Sequence, residues 1–168
     1  MHSVLRLVRE EKDDWWEVEA LFDLAFAPGR EALSSYRLRD GVPPVQNLCI
    51  IARDPEGILA GAVRVWPILI GDHQCLLLGP IAVHPTRQGE GLGGALMRDC
   101  LLRARDHDWA RVLLVGDAAY YQKFGFEKRE GVFMPPPTNP DRVLGVALQP
   151  GAWDGISGEV RPVVTTSP

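Results

Sequence analysis

Hydrophobic and polar positions divide the chain into an opening amphipathic segment, a central run of strand patterns and one long amphipathic helix. A short strand is predicted over 4–9, and Asp13 or Asp14 can cap the helix that follows. A second, more polar helix is predicted over 30–39. The apolar face predicted for the first helix consists of Trp15, Trp16, Val18, Leu21, Phe22, Leu24 and Ala25.

Three strands are predicted next, over 48–52, 58–70 and 74–83. Turn residues over 54–57 and 71–72 separate them. Because consecutive strands joined by tight turns run in opposite directions, these segments predict an antiparallel meander.

A helix is predicted over 91–106, with Leu92, Ala95, Leu96, Cys100 and Ala104 along one side. The next strand, over 111–115, lies far enough along the chain for the helix to act as a crossover that makes two strands parallel.

The rest of the chain predicts a short helix over 118–123, a strand from Phe126 onward and a last strand over 142–148. The predicted fold is therefore an α/β (α+β) mixed sheet, an antiparallel meander plus one parallel βαβ crossover. We expect a single domain over 1–161 and a flexible tail over 162–168.

Composition excludes several classes of protein. The chain is 46% hydrophobic and 24% charged, which is typical of globular proteins. Its net charge of −4 and the lack of a dense basic block argue against nucleic acid as a ligand. No apolar run approaches the ~20 residues that cross a bilayer, and no signal peptide is evident, so we expect a cytoplasmic protein. Scattered cysteines, Cys49, Cys75 and Cys100, predict core residues and no metal site.

Four glycines between Gly89 and Gly94 precede the long helix. A helix N-terminus favours an anion, and glycine lets a pyrophosphate approach the backbone. A glycine-rich turn can also be a simple tight connection. The spacing of Gly89, Gly91 and Gly94, with Asp117 beyond, matches a dinucleotide-binding fingerprint as well, but only one crossover follows and the remaining chain is too short for a doubly wound sheet.

A Gly79–Pro80 pair interrupts the third strand of the meander. Proline removes a ladder N–H, so either an ordinary edge bulge or a splay between strands is expected there. Together with the glycine turn just beyond the strand, the splay predicts a slot for an elongated ligand that carries amides.

The run Leu-Gly-Pro-Ile-Ala-Val-His-Pro over 78–85, followed by Gln-Gly-Glu-Gly-Leu-Gly over 88–93, resembles the core motif of the GCN5-related N-acetyltransferase (GNAT) superfamily. Gln88, Gly91 and Gly93 fit that family's (Arg/Gln)-x-x-Gly-x-(Gly/Ala) pattern. The segment over 119–126 is similar to the family's closing helix and strand, and the tail over 148–160 is similar to its bacterial YhbS-like subgroup of predicted acetyltransferases.

The resemblance implies a GNAT-like fold with splayed central strands and transfer of an acetyl group from acetyl-CoA, as co-substrate, to a primary amine by direct attack. It implies that Tyr121 protonates the leaving thiolate, with Tyr120 as the alternative if the short helix is rotated. The residues implied to hold the cofactor are Ile81, Ala82, Val83, Gln88, Gly89, Glu90, Gly91, Leu92, Gly93 and Gly94.

No Asp or Glu occurs over 74–83 to accept the amine proton, so water is an alternative carrier. Other conceivable proton relays are Asp72, His73, His84 and Asp117. Each has a plain role in a turn, at a strand end or as a helix cap, and none is assigned as the base. Arg87 and Lys123 are candidate phosphate contacts or ordinary surface residues. A non-catalytic acyl-CoA-binding module stays open as an alternative, and an exposed final strand is compatible with a homodimer.

Overall fold

The structure is a computed structural model that describes residues 5–26, 36 and 38–163. Its strands are β1 Arg6–Arg9, β2 Ile50–Arg53, β3 Leu59–Ile70, β4 His73–Val83, β5 Arg111–Val115, β6 Glu127–Lys128, β7 Val132–Phe133, β8 Val143–Ala147 and β9 Gly158–Pro162. The α-helices described are α1 Trp15–Ala25, α2 Leu92–Asp106 and α3 Ala118–Tyr121. Most of the helix predicted over 30–39 lies outside the described residues.

The strands form one mixed sheet in the order β1-β2-β3-β4-β5-β8-β6. The first four are antiparallel neighbours, as the meander predicted. Strands β4 and β5 are parallel, with α2 as their crossover, which confirms the predicted fold class. The sequence did not predict β9, which pairs antiparallel with β3 and parallel with β7, and which includes Pro162, the first residue of the predicted tail.

Both faces of the sheet are covered. The apolar side of α2 packs on one face, where Leu92, Leu96 and Cys100 join buried residues of β2 to β5. On the other face, α1 packs through Val18, Leu21 and Phe22, and the segments around β7 and β9 cover the remainder.

Three residues predicted for the apolar face of α1 are exposed to solvent instead: Trp16, Leu24 and Ala25. Trp16 is 80% exposed and Leu24 is 58% exposed. The buried stripe of α1 is narrower than predicted because the residues that contact the sheet are three and four positions apart, at 18, 21 and 22.

A buried ion-pair network fastens α1 and β1 to β3. Arg64 on β3 is 1% exposed and donates two hydrogen bonds to the Glu10 carboxylate, at 3.0 and 2.9 Å. It also pairs with Glu19 of α1, and its guanidinium lies 3.7 Å from the centroid of the Trp15 ring. Arg64 lies opposite Gly79–Pro80, so the network fixes the sheet at the position where β4 becomes irregular.

Candidate active site

The parallel strands β4 and β5 stay paired for only two residue pairs, the second being Leu77 with Leu113. Strand β4 then continues to Val83, and a gap opens between the two strands. The pairing of β3 with β4 shifts where Gly79 and Pro80 lie, as expected for a proline that supplies no ladder N–H. The predicted splay is therefore confirmed.

The backbone of β4 beyond the bulge offers hydrogen-bonding groups to this gap. The His84 N–H donates to the Ala60 carbonyl at 2.8 Å. This bond shows which residues at this end of β4 direct their backbone groups toward β3. Backbone groups alternate sides along an antiparallel strand. The N–H and C=O groups of Ala82 therefore face β3, whereas those of Ile81 and Val83 face the gap.

The glycine turn leads from β4 into α2. Gly89 and Gly91 have φ angles of 84° and 77°, in the left-handed region that favours glycine. The first intrahelical hydrogen bond near Gly91 is donated by Ala95, at 3.1 Å, so the three N–H groups before Ala95 point out of the helix start. The Gln88 side chain folds back and donates to the Val83 carbonyl at 3.0 Å.

A cleft of about 440 Å³ lies between this turn, the end of β4 and the segment around α3. Nine of the ten residues predicted to hold the cofactor line it: Ile81, Ala82, Val83, Gln88, Gly89, Gly91, Leu92, Gly93 and Gly94. The tenth, Glu90, is exposed and pairs with Arg87 at 3.3 Å.

Tyr121 lies at the junction of two cavities. It lines the cleft and also a pocket of about 160 Å³ between β4 and β5, which we call the splay pocket. Its ring packs on Gly116, where an added Cβ would approach Cε2 of the ring to 2.4 Å. Burial raises the pKa of the Tyr121 phenol above its usual value. The hydroxyl is therefore protonated at neutral pH.

Tyr120, the alternative acid, has a different environment. It is 41% exposed, and its ring carries the Lys123 ammonium 4.0 Å above its centroid. It lines the cleft but not the splay pocket. The rotation of α3 is fixed at its start, where Asp117 accepts a hydrogen bond from the Ala119 N–H at 2.9 Å. This geometry favours Tyr121 as the acid.

The four conceivable proton relays have the plain roles that their positions predicted. Asp72 lies in the β3–β4 turn and pairs with Arg161 at 3.1 Å, and His73 begins β4. His84 accepts a hydrogen bond from the Thr86 N–H at 3.2 Å. Asp117 caps α3, and none of the four lines the cleft or the splay pocket.

Three cationic side chains border the cleft: Arg87, Arg98 and Lys123. Arg87 also pairs with Asp54 at 3.1 Å. Arg98 was not among the phosphate contacts that the sequence suggested. Its guanidinium folds back along the helix and lies over Gly94, where an added Cβ would come within 3.1 Å of Nη1. The signal that could have found it is the spacing, since a helical side chain lies over the residue four positions earlier, and here that residue is a glycine.

A third cleft, of about 400 Å³, lies on the other side of the splay pocket. Trp15, Glu19 and Trp66 contribute to its walls. It meets the splay pocket at Tyr36, Arg39 and Pro80, which line both. The three cavities therefore adjoin one another in a row.

Within the described residues, no three His, Cys, Asp or Glu side chains come together as a metal site. No described helix is both long and apolar enough to span a bilayer. The three cysteines are buried, and burial raises the pKa of Cys49 and of Cys100 to about 12. They are core residues, as predicted.

Comparisons with known proteins agree with this geometry. Residues 46–128 match a family model described as an acetyltransferase (GNAT) domain. The N-acetyltransferase YhbS of Escherichia coli K12 is 33% identical over 113 residues, which span 66% of this chain and 66% of YhbS. About a third of each sequence therefore lies outside this alignment.

Two solved structures are similar over nearly the whole chain. The structure of E. coli YhbS in complex with CoA superposes with a TM-score of 0.80 at 26% identity, covering 95% of this chain and 89% of that one. A GNAT family acetyltransferase from Brucella melitensis in complex with acetyl-CoA gives a TM-score of 0.72 at 26% identity, covering 95% and 96%.

Proposed function

The chain belongs to the GNAT acetyltransferase family, and we propose that it is an acyl-CoA-dependent N-acyltransferase that transfers an acetyl group from acetyl-CoA to a primary amine by direct attack. The observation that carries this proposal is the position of Tyr121, where the glycine-turn cleft meets the gap between β4 and β5. A module that only binds acyl-CoA needs the cleft but has no need of a protonated phenol at this junction.

The described residues fit an acyl-CoA. The start of α2 suits the pyrophosphate, because N–H groups point outward there and the helix dipole is positive. Ile81 and Val83 face the gap and suit the amides of an extended pantetheine arm. Arg98 and Lys123 border the same cleft and add positive charge. Phosphates and amides thus both have partners of the right kind.

Acetyl-CoA supplies the acyl carbon as a thioester, and the amine nitrogen forms a bond to that carbon as the carbon–sulfur bond breaks. The sulfur leaves with the electron pair and takes a proton from the Tyr121 hydroxyl. Because its pKa is raised, Tyr121 has that proton to give at neutral pH. The amine proton passes to water, since the four relay candidates lie outside the cleft and the splay pocket.

The first test is thermal unfolding with acetyl-CoA, CoA and NAD in parallel. A ligand at a hundred times its Kd stabilises by about 2.7 kcal/mol, which for a domain of this size raises Tm by roughly 5–10 °C. We expect this rise with both CoA species and none with NAD. A response to NAD alone would contradict the proposal, as would no response to CoA.

A panel of primary amines then identifies the acceptor through release of the CoA thiol. Replacing Tyr121 with Phe should lower turnover by about 10²–10⁴-fold while the Tm rise with CoA persists. If no amine is turned over although CoA binds, the non-catalytic alternative is correct. The cytoplasmic location and the homodimer stay predictions from the sequence.

A further inference from the structure

The splay pocket is larger than an acetyl group needs. Its volume of about 160 Å³ lies between the separated ends of β4 and β5. For comparison, an apolar protein cavity of about 150 Å³ stays dry and binds benzene, which has six carbon atoms. The proposed path of the pantetheine arm runs along Ile81 and Val83, which line the cleft. An acetyl group places a single methyl beyond its carbonyl carbon, so the deeper part of the splay pocket, between Leu77 and Leu114, would stay unfilled.

The walls of the splay pocket are mainly apolar and come from both faces of the sheet. Leu78 and Leu114 belong to the core under α2, whereas Leu77 and Val115 belong to or pack against the core on the opposite face. Phe26 adds an aromatic wall. A pocket with such walls favours a hydrocarbon occupant.

The polar side chains among its described walls are Tyr36, Arg39 and Tyr121. Arg39 is held between two rings, 3.8 Å from the centroid of Tyr36 and 4.4 Å from that of Trp66, and donates to the Gly79 carbonyl at 2.9 Å. Its guanidinium is thereby fixed at the edge of the splay pocket.

The splay pocket adjoins the cleft, and Phe26, Ile81 and Tyr121 line both. An acyl chain whose thioester lies beside Tyr121 therefore extends into it. A separate side is left for the amine, because the third cleft meets the splay pocket at Tyr36, Arg39 and Pro80. Chain and amine need not compete for the same space.

We propose that this enzyme binds and transfers acyl groups of about four to six carbons, whose tails fill the splay pocket, more efficiently than acetyl. The inference rests on the proposed acyltransferase function and specifies its donor. Each buried methylene should tighten binding by about fourfold, so butyryl-CoA is expected to bind roughly fifteenfold more tightly than acetyl-CoA.

The experiment measures the Kd and kcat/KM of the full chain for CoA and for its acetyl, propionyl, butyryl, hexanoyl and decanoyl thioesters. We expect both to improve from acetyl to butyryl or hexanoyl and to gain nothing further at decanoyl. Equal affinity across the series, with CoA and acetyl-CoA still bound, would overturn this inference and leave the acyltransferase function intact. If neither CoA nor acetyl-CoA binds, the function itself is wrong.

Two opposite substitutions test whether the acyl tail lies in the splay pocket. Val115→Phe fills the splay pocket and should reduce the butyryl-to-acetyl affinity ratio from about fifteen to near one, whereas Val115→Ala enlarges it and should move the optimum to longer chains. Val146 on β8 is the matched control, because it is also a half-buried valine but lines none of the three cavities. If the butyryl-to-acetyl affinity ratio is unchanged in both Val115 variants, or is lost equally in Val146→Phe, the acyl tail does not lie in the splay pocket.

Discussion

Gly116 lies directly beneath the ring of Tyr121, and replacing it with alanine tests whether the position of that ring matters for the reaction. A Cβ built on Gly116 would lie 2.4 Å from Cε2 and 2.9 Å from Cδ2 of Tyr121, and 3.2 Å from Cδ1 of Leu114. Gly116 does not have a positive φ angle, so alanine fits the backbone. The substitution therefore acts through the contact with the ring.

The magnitude follows from the distances. To restore an ordinary contact of at least 3.4 Å, the ring must move by about 1 Å, and a misplacement of that size costs about 10²-fold in rate. We expect Gly116→Ala to lower kcat by about two orders of magnitude and to leave the KM for acetyl-CoA nearly unchanged, because the proposed binding mode holds acetyl-CoA mainly by backbone groups. Release of the CoA thiol, with an acceptor from the amine panel, measures both constants.

Gly145→Ala is a matched control for this substitution. A Cβ on Gly145 would lie 2.4 Å from Cζ2 of Trp153, an equal overlap with an aromatic ring, but Gly145 lies on β8 and lines none of the three cavities. Both variants should lose about 1–3 kcal/mol of unfolding free energy. Only Gly116→Ala should lose kcat.

A double variant completes the test. Because Gly116 acts through Tyr121, Gly116→Ala should cause little further loss of kcat in a protein that already carries Tyr121→Phe. Wild-type kcat in Gly116→Ala, or an equal loss of kcat in Gly145→Ala, would refute the reasoning. A fully additive double variant would show that Gly116 acts by another route.

Three further predictions concern charge. Because the pKa of Tyr121 lies above its usual 10, we expect kcat to fall through deprotonation of Tyr121 only above about pH 10. Tyr121→Phe should abolish that alkaline decline, and a decline that persists in the variant would contradict this. Hydrogen bonds, the Ile58 N–H first, hold the pKa of Asp54 below its usual value, so its contribution to stability is present above about pH 4 and is lost as the pH falls through the folded-state pKa. Tm should therefore fall less between pH 5 and 3 in Asp54→Asn than in the wild type, and an equal fall would refute this. Arg64→Met removes the arginine partner of the buried Glu10 carboxylate and should lower the free energy of unfolding, measured in urea, by about 3–5 kcal/mol. Adding Glu10→Gln to this variant should restore part of the loss. A double variant no more stable than Arg64→Met would contradict that.

The sequence predicted the parts of the fold that depend on local chemistry. Strands β3 and β4, helix α2 and the glycine turn appear because apolar spacing, turn residues and left-handed glycines act over a few residues. Tyr121 was predicted only because a motif linked it to the turn. In the structure the two come together because the gap between β4 and β5 opens toward α3.

What the sequence did not predict depends on contacts between distant segments. Strand β9 exists because β3 continues beyond β2 and leaves an edge free at Ile68 to Ile70, which β9 then pairs. Trp16 appeared to belong to a core face because pattern alone cannot tell how wide a stripe the sheet covers. Arg64 gave no warning of its burial, since its carboxylate partner Glu10 lies 54 residues away.

The bulge in β4 explains why the two residues that face the gap at the end of this strand each have both an N–H and a C=O group. Before the bulge, even-numbered residues face β5, because Val65, the β3 partner of Leu78, directs its carbonyl away from β4 to the Val45 N–H at 2.9 Å. Without the extra residue, the same phase would turn Pro80 and Ala82 toward the gap, and Pro80 has no N–H to offer. Since Gly79 and Pro80 together oppose the single residue Arg64, the phase changes by one. The groups that face the gap then belong to Ile81 and Val83, so Pro80, which has no N–H, is turned away from the position proposed for the ligand.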